Sequence, residues 1–191
     1  MFEGKTFGFG FCGSFCTLAE SIDALEELAQ TGCKIVPVVS YAVANTDTRF
    51  GKAADFTARI EDICRTKVID SIAGAEPIGP KKLLDMMIVM PCTGNTLAKL
   101  NYGITDTPVT MACKSHLRNA RPLLLSIATN DGLSNNAKNI GGLMNLKNVY
   151  FVPMGQDDAI KKPTSIIAKT DMLLPAIEAA FNGASLQPIL M

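Results

Sequence analysis

The chain has 191 residues, and its 18 Lys and Arg balance 18 Asp and Glu. This balance excludes a strong net field that would attract nucleic acid or an anionic membrane surface. Hydrophobic residues make up 48% of the chain and the mean hydropathy is +0.22, which favours strands buried on both faces over a disordered chain. The length suits one core, so we predict a single domain over residues 1–191.

The sequence carries no evident targeting or membrane signal. Its longest uncharged stretch, Thr6–Ala19, is interrupted by three glycines and is short for a helix that crosses a bilayer. Glu3 and the lack of an apolar signal-peptide core argue against secretion. Six cysteines without a C-x-x-C pair and a single histidine argue against a local metal site. We therefore expect a cytoplasmic protein with reduced thiols and no bound metal.

Strands and helices are predicted to alternate along the first half of the chain. Apolar runs indicate the strands, and apolar residues recurring every three or four positions indicate the helices. The predicted elements are a strand at Lys5–Phe11, a helix from Thr17 that Gly32 ends, a strand at Lys34–Val39, a helix at Phe56–Cys64, a short helical turn at Lys81–Leu84 and a strand at Asp85–Met90.

The alternation continues in the second half. The predicted elements are a helix at Asn95–Tyr102, a strand at Pro108–Ala112, a helix from Pro122 through Ala128, a mobile loop at Asn130–Gly142, a strand at Val149–Val152 and a helix whose buried face carries Leu173, Ile177, Ala180 and Phe181. Such alternation predicts an α/β fold, a three-layer sandwich on a mainly parallel sheet.

The loops after the strands are where such a sheet binds ligands. In GFGFCGSFCT, after the first strand, Gly8, Gly10 and Gly13 match G-x-G-x-x-G. The match predicts either a phosphate at the next helix N-terminus, beside the Ser14 hydroxyl, or a tight glycine turn that binds nothing. The second strand ends in Ser40 and offers no carboxylate for a ribose diol, so a mononucleotide is favoured over a dinucleotide.

The third strand ends at Pro91 in a cluster of small polar residues. Thr93, Asn95 and Thr96 can present hydroxyl, amide and backbone N–H groups to one ligand, and Gly94 lets the backbone approach it closely. Capping of the following helix accounts for one of these side chains only. The cluster therefore indicates a second part of the ligand site.

The segment PCTGNTLAKLNYGITD resembles the signature P-[AC]-[ST]-x-N-T-x-A-K-x-x-x-G-[IM]-x-D of the flavoprotein family that includes phosphopantothenoylcysteine decarboxylases and flavin prenyltransferases. GSFCT resembles the family's Gly-Ser phosphate loop, VVS its second-strand serine, and PVTMACKSH the decarboxylase segment P-V-x-x-A-P-A-M-N. The resemblance covers most of the chain and implies a flavodoxin-like, Rossmann-like fold with FMN as cofactor. It implies that Gly13, Ser14 and Ser40 hold the phosphate end, and that Cys92, Thr93, Asn95 and Thr96 contact the flavin and ribityl groups.

The chain departs from the decarboxylases at two positions. Their catalytic histidine falls at Pro77, which cannot transfer a proton, and their substrate-binding asparagine falls at His116. Lys114, Arg118 and Arg121 surround His116 in sequence. This basic cluster predicts a site for a pyridine or dihydropyridine dicarboxylate, with the three cations on the carboxylates and His116 exchanging a proton. The alternative is a solvated loop that carries positive charge by chance.

The resemblance thus implies an oxidoreductase component, in which FMN or an NAD(P) bound by a partner protein accepts hydride from the dicarboxylate. Two other functions stay open: a flavin-dependent decarboxylase or prenyltransferase on the same fold, and a non-catalytic protein that stabilises its partner. Family members are typically homo-trimers or larger, so a homo-oligomer is implied as well. We expect neither nucleic acid nor membrane as a partner.

Overall fold

Seven strands form one sheet in the computed structural model, which describes residues 1–191. The strands are β1 Thr6–Phe11, β2 Lys34–Val39, β3 Met86–Cys92, β4 Leu123–Thr129, β5 Val149–Phe151, β6 Met154–Gly155 and β7 Ile166–Ala168. The helices are α1 Phe15–Ala29, α2 Tyr41–Asn45, α3 Ala53–Cys64, α4 Ile72–Ala75, α5 Gly94–Asn101, α6 Pro108–Leu117, α7 Ala137–Met144 and α8 Leu173–Phe181, with 3₁₀ turns at Glu76–Ile78 and Thr170–Met172.

The first five strands pair in parallel in the order β2-β1-β3-β4-β5. This is the flavodoxin-like doubly wound order, whose switch point lies between β1 and β3. The short strands β6 and β7 continue the sheet in the antiparallel direction from the carboxyl end of β4. The predicted α/β fold on a mainly parallel sheet is therefore confirmed. None of the helices is long and apolar enough to cross a membrane.

Alternation along β1 explains its FGFGF sequence. Phe7, Phe9 and Phe11 are fully buried in the core on one face of the sheet, beneath α1. Gly8 and Gly10 face the other core, where a Cβ at Gly10 would lie 3.1 Å from Val109 Cγ1 of α6. Gly10 thus lets α6 pack closely on the sheet, and a Cβ at Gly8 would meet Leu84 and Met87, so both glycines have packing roles in β1 and only Gly13 of the G-x-G-x-x-G match lies in the loop.

In the second half of the chain, one predicted strand is a helix and one predicted helix is a strand. Pro108–Ala112 is not a strand but the start of α6, because Thr107 and Thr110 form a capping box and Pro108 occupies the first helical position. The residues after Pro122 are not a helix but β4, whose buried run LLLSIAT pairs with β3 and β5. Short apolar runs of this kind suit a buried strand and a buried helix equally well.

Two smaller predictions also differ from the structure. Lys81–Leu84 is a turn, in which Lys82 has a φ of 50°, and it forms no helix. The predicted loop Asn130–Gly142 is wrong in its second half, which belongs to α7. Side-chain amides hold this segment, because Asn136 donates to the carboxylate of Asp131 at 2.9 Å and Asn139 donates to Asn136 Oδ1 at 2.8 Å.

Candidate functional site

Two cavities lie beyond the carboxyl ends of the parallel strands, and they share Gly13 and Thr93. The β2 cavity, of about 370 Å³, is further lined by Cys12, Ser40, Tyr41, Ala42, Asn95, Thr96, Lys99 and Thr107. The β4 cavity, of about 250 Å³, is further lined by Ser14, Cys16, Thr17, Gly94, Ala128, Thr129, Asn130, Asp157, Lys162, Ser165, Ile166 and Ile167. Both belong to the edge at which open α/β sheets bind ligands.

The N-terminus of α1 forms one wall of the β4 cavity. Ser14 is the N-cap residue, and its hydroxyl oxygen accepts a hydrogen bond from the Thr17 hydroxyl at 2.9 Å. The backbone N–H groups of Phe15 and Cys16 donate to no acceptor of the chain. A helix N-terminus with free donors binds anionic or electron-rich ligand atoms well.

A second helix N-terminus, that of α5, lies between the two cavities. Thr93 is its N-cap residue, and Thr93 Oγ1 accepts from the backbone N–H of Thr96 at 3.4 Å. The backbone N–H groups of Gly94 and Asn95 have no acceptor within the chain, and the exposed Asn95 side chain makes no hydrogen bond. Capping is thus done by Thr93, which leaves Asn95 free to bind a ligand.

The structure brings six of the seven predicted cofactor residues to these cavities and regroups them. Gly13 and Thr93 line both cavities, Ser40, Asn95 and Thr96 line the β2 cavity, and Ser14 lines the β4 cavity. The prediction for Cys92, the seventh residue, does not fit the structure. The residue is fully buried in the apolar core, so its side chain cannot contact a cofactor in either cavity.

Burial separates the thiols near the site into two kinds. Burial raises the pKa of Cys12 to about 11 and raises the pKa values of Cys92 and Cys113 further still, although the Thr96 hydroxyl donates to Cys12 Sγ at 3.1 Å. Thiols in this state remain protonated and unreactive near neutral pH. Cys16 alone of the six cysteines is exposed, on the wall of the β4 cavity.

A thiol-specific disulfide reagent is therefore expected to label Cys16 first in the native protein at pH 8. The fast phase should correspond to one thiol and should be absent from Cys16→Ser, whereas Cys12, Cys92 and Cys113 should react only after unfolding. The measurement is the absorbance of the released thiolate with time. A fast phase that persists in Cys16→Ser would contradict this assignment.

The predicted basic cluster does not form one site beside these cavities. Helix α6 starts at the carboxyl edge, where Thr107 lines the β2 cavity, and its ten residues carry the chain about 15 Å away. Arg121 donates to the carbonyl oxygens of Lys82, at 3.1 Å, and Leu84, which precede β3 at the amino edge of the sheet. Lys114 and Arg118 line a separate groove beside Leu100, Ile104 and Leu117.

The sequence predicts that His116 follows a strand, but in the structure it lies in the last turn of α6. Its side chain is 1% exposed, and its Nε2 lies 2.9 Å from the carbonyl oxygen of Pro122. Burial lowers the pKa of His116 to about 4, against the effect of the Pro122 carbonyl, which raises it. The imidazole is therefore neutral near pH 7, with its Nε2 proton held by Pro122, and the predicted proton-exchange role does not fit this geometry.

The decarboxylase segment P-V-x-x-A-P-A-M-N also resembles a stretch that includes β4, in which Pro122, Ala128 and Asn130 fall at its first, seventh and ninth positions. The nine residues PLLLSIATN start at Pro122, follow β4 and end at Asn130. Asn130 lies at the position of the asparagine in this match, and it lines the β4 cavity, which His116 does not. The exchange of helix and strand in the prediction caused this residue to be missed.

Other cavity residues were also missed by sequence reasoning. Lys99 belongs to the recognised signature and was not assigned a role, whereas Thr107 precedes a segment that was misread as a strand. Lys162 is brought to the β4 cavity by the loop between β6 and β7, and no local motif marks it.

Comparison with known proteins agrees with this architecture. The model of the Flavoprotein family matches residues 1–178, so the chain belongs to the flavoprotein family. It is 48% identical over 189 residues to the B subunit of dipicolinate synthase from Bacillus subtilis (strain 168), a match that covers 99% of this chain and 94% of that protein.

Solved structures with this fold include two that are informative here. The crystal structure of the dipicolinate synthase B subunit from Bacillus halodurans C matches with a TM-score of 0.91 at 43% identity, covering 100% of this chain and 97% of the other. DmrB of Burkholderia xenovorans, solved in complex with FMN, matches with a TM-score of 0.69 at 19% identity, covering 93% and 96%. The second similarity concerns the fold alone.

Proposed function

We propose that this protein is the FMN-binding subunit of a dipicolinate synthase. The observation that carries the proposal is the pair of joined cavities, where two helix N-termini present four backbone N–H groups without acceptors in the chain. A flavin mononucleotide has a phosphate and a row of ring acceptors that need such donors. The residues present therefore fit FMN, and the similarity to the B subunit of dipicolinate synthase supports the choice of reaction.

Charge indicates which end of FMN each cavity holds. The β2 cavity offers the hydroxyls of Ser40, Thr96 and Thr107 and the ammonium of Lys99, which is paired with the exposed Asp106, and no carboxylate lines the cavity itself. The β4 cavity has the ion pair of Asp157 and Lys162 on its wall, in which the two charges offset each other, and an apolar side made by Ala128, Ile166 and Ile167. A phosphate suits the first cavity and a flat aromatic ring suits the second. Ser40 would then hold the phosphate, and Asn130 would lie on the ring side.

The proposed reaction oxidises a dihydrodipicolinate-type intermediate to dipicolinate, pyridine-2,6-dicarboxylate, during sporulation. It removes from the ring one hydride, which passes to the acceptor, and one proton, which passes to solvent. FMN bound at this site would supply the hydride acceptor, unless the acceptor is an NAD(P) held by the partner, the A subunit of dipicolinate synthase. The chain itself would bind and orient the dicarboxylate, with Asn130 donating from its side-chain amide, and would limit water at the reacting carbon.

Particular residues argue against the alternative functions. A decarboxylase of this family would need its catalytic histidine at Pro77, which lies in the 3₁₀ turn Glu76–Ile78. A protein that only stabilises its partner needs no free Asn95 side chain and no pair of cavities between two helix N-termini. We further propose a single domain over residues 1–191, in a cytoplasmic homo-oligomer of trimer size or larger. DmrB, which is a cubic protein cage, supports the assembly by analogy.

FMN retention tests the proposal directly. After incubation with FMN and desalting, we expect the wild-type protein to keep a flavin absorption spectrum, and we expect Asn95→Ala to bind FMN about tenfold more weakly, because one hydrogen bond in the site is lost. Asn135→Ala is the matched control, since Asn135 is also exposed and lines neither cavity. A wild-type protein that retains no flavin would refute the cofactor assignment. Assay of the protein with and without the partner subunit then assigns the redox step.

A further inference from the structure

Lys162 is the one cation on the wall of the β4 cavity. It lies in the loop between β6 and β7, far from the segments that carry the family signature. The carboxylate of Asp158 accepts the N–H groups of Ile160 and Lys161, at 3.1 and 2.9 Å, and the Lys162 N–H donates to the Asp158 carbonyl at 2.8 Å. The backbone at Lys162 is therefore held in a hydrogen-bonded turn before any ligand binds.

Two further hydrogen bonds tie this loop to the end of β4. The Thr164 hydroxyl donates to the backbone carbonyl of Asn130 at 2.7 Å, and the Ser165 hydroxyl donates to that of Thr129 at 3.3 Å. They place Lys162 and Asn130 on the wall of the same cavity. The Asn130 side-chain amide makes no hydrogen bond of its own, so it is free to contact a ligand.

The charge of Lys162 is available to a ligand at low cost. Its ammonium contacts the Asp157 carboxylate in a pair whose side chains are 54% and 36% exposed. Exposed pairs of this kind contribute little to stability, so a carboxylate entering the cavity can share or replace Asp157. Lys99, the cation of the β2 cavity, is by contrast engaged with Asp106 at 2.7 Å with its side chain 20% exposed.

We propose that Lys162 binds one carboxylate of a pyridine or dihydropyridine dicarboxylate, with the Asn130 amide as a second contact. The inference rests on the proposed function and names the substrate-binding cation of that site. Lys162 takes the role that the sequence pattern suggested for Lys114, Arg118 and Arg121, which lie along or beyond the far part of α6. A compact ammonium suits this site because a single carboxylate needs one strong charge-assisted hydrogen bond.

Calorimetric titration with pyridine-2,6-dicarboxylate tests the assignment. The heat of dicarboxylate binding can be measured whether or not the protein carries flavin. In the FMN-loaded full-length protein, we expect Lys162→Met to weaken dicarboxylate binding about tenfold or more, through loss of a charge-assisted hydrogen bond. Lys162→Arg should stay close to the wild-type value. Added salt should weaken binding to the wild type more than binding to Lys162→Met. Lys161→Met is the matched control, since Lys161 belongs to the same turn and does not line the cavity.

The Lys162 contact and the cofactor site can fail separately. If all variants retain FMN and Lys162→Met binds the dicarboxylate as tightly as the wild type, the Lys162 proposal is overturned and the proposed function stands. If the wild type retains no FMN but binds the dicarboxylate in a Lys162-dependent manner, only the cofactor assignment fails. If the wild type binds no dicarboxylate either with or without FMN, the Lys162 proposal is overturned.

Discussion

Gly94→Ala is expected to lower the free energy of unfolding by about 2 kcal/mol and to weaken FMN binding more than tenfold. Gly94 begins α5, where a Cβ atom would lie 2.7 Å from Thr129 Oγ1 and 2.8 Å from Asp131 Oδ1, and would also meet the Asn136 amide. These atoms form a partly buried hydrogen-bonded group that cannot move freely. The N-terminus of α5 must therefore shift, and it carries the free N–H groups proposed to face FMN.

The control for this substitution is Gly141→Ala. Gly141 also lies in a helix, α7, but a Cβ there has no neighbour within 4 Å. We expect this variant to gain about 0.5–1 kcal/mol, because alanine loses less backbone freedom in a helix than glycine does. Urea denaturation gives the stabilities, and titration with FMN gives the affinities. Equal behaviour of the two variants would show that the close packing around Gly94 has no functional consequence.

Acidification is expected to destabilise the protein through its single histidine. Burial lowers the pKa of His116 from 6.5 to about 4. Between these two values the unfolded chain binds a proton at His116 that the folded protein does not bind. The free energy of unfolding therefore falls as the pH falls from 6.5 to 4, by roughly 3 kcal/mol in total, and this group causes no further loss below pH 4.

An NMR titration can measure this pKa directly, because the chain contains a single histidine and its imidazole signals need no assignment among several. The imidazole signals in an NMR titration of the folded protein should move near pH 4, and those of the urea-unfolded chain near pH 6.5. Carboxylates also titrate at low pH, so the wild type should be compared with His116→Gln, which keeps a donor for the Pro122 carbonyl. The two stability curves should converge toward acid pH. A folded imidazole that titrates near 6.5 would contradict the burial argument.

The first three strands were predictable because each is an apolar run bounded by turn residues. Lys5–Phe11 and Lys34–Val39 match β1 and β2 within one residue, and α8 was recognised from its apolar face. The helix α6 and the strand β4 were not. Their apolar residues show no decisive period, and the identity of each depends on the capping box at Thr107 and on pairing with β3, which is a long-range contact.

The sequence by itself placed most of the proposed cofactor residues at the cavities. The residues around Gly13, Ser40 and Thr93 follow directly after strands with clear patterns, and chain connectivity alone brings such positions to one edge of a parallel sheet. Small polar side chains there have few structural duties beyond capping. Cys92 was the exception, because its neighbours in sequence are polar while its side chain packs into the core.

Only the tertiary structure decided which residues are available for the proposed substrate contacts. It buried His116 against Pro122, turned Arg121 to the opposite edge of the sheet, and brought Asn130 and Lys162 to the β4 cavity. The direction of α6 separates the basic cluster from the site, and the β6–β7 pairing delivers Lys162 from a distant part of the chain. Both depend on contacts between residues far apart in sequence, which local patterns do not encode, whereas the ends of the parallel strands follow from the order of elements along the chain.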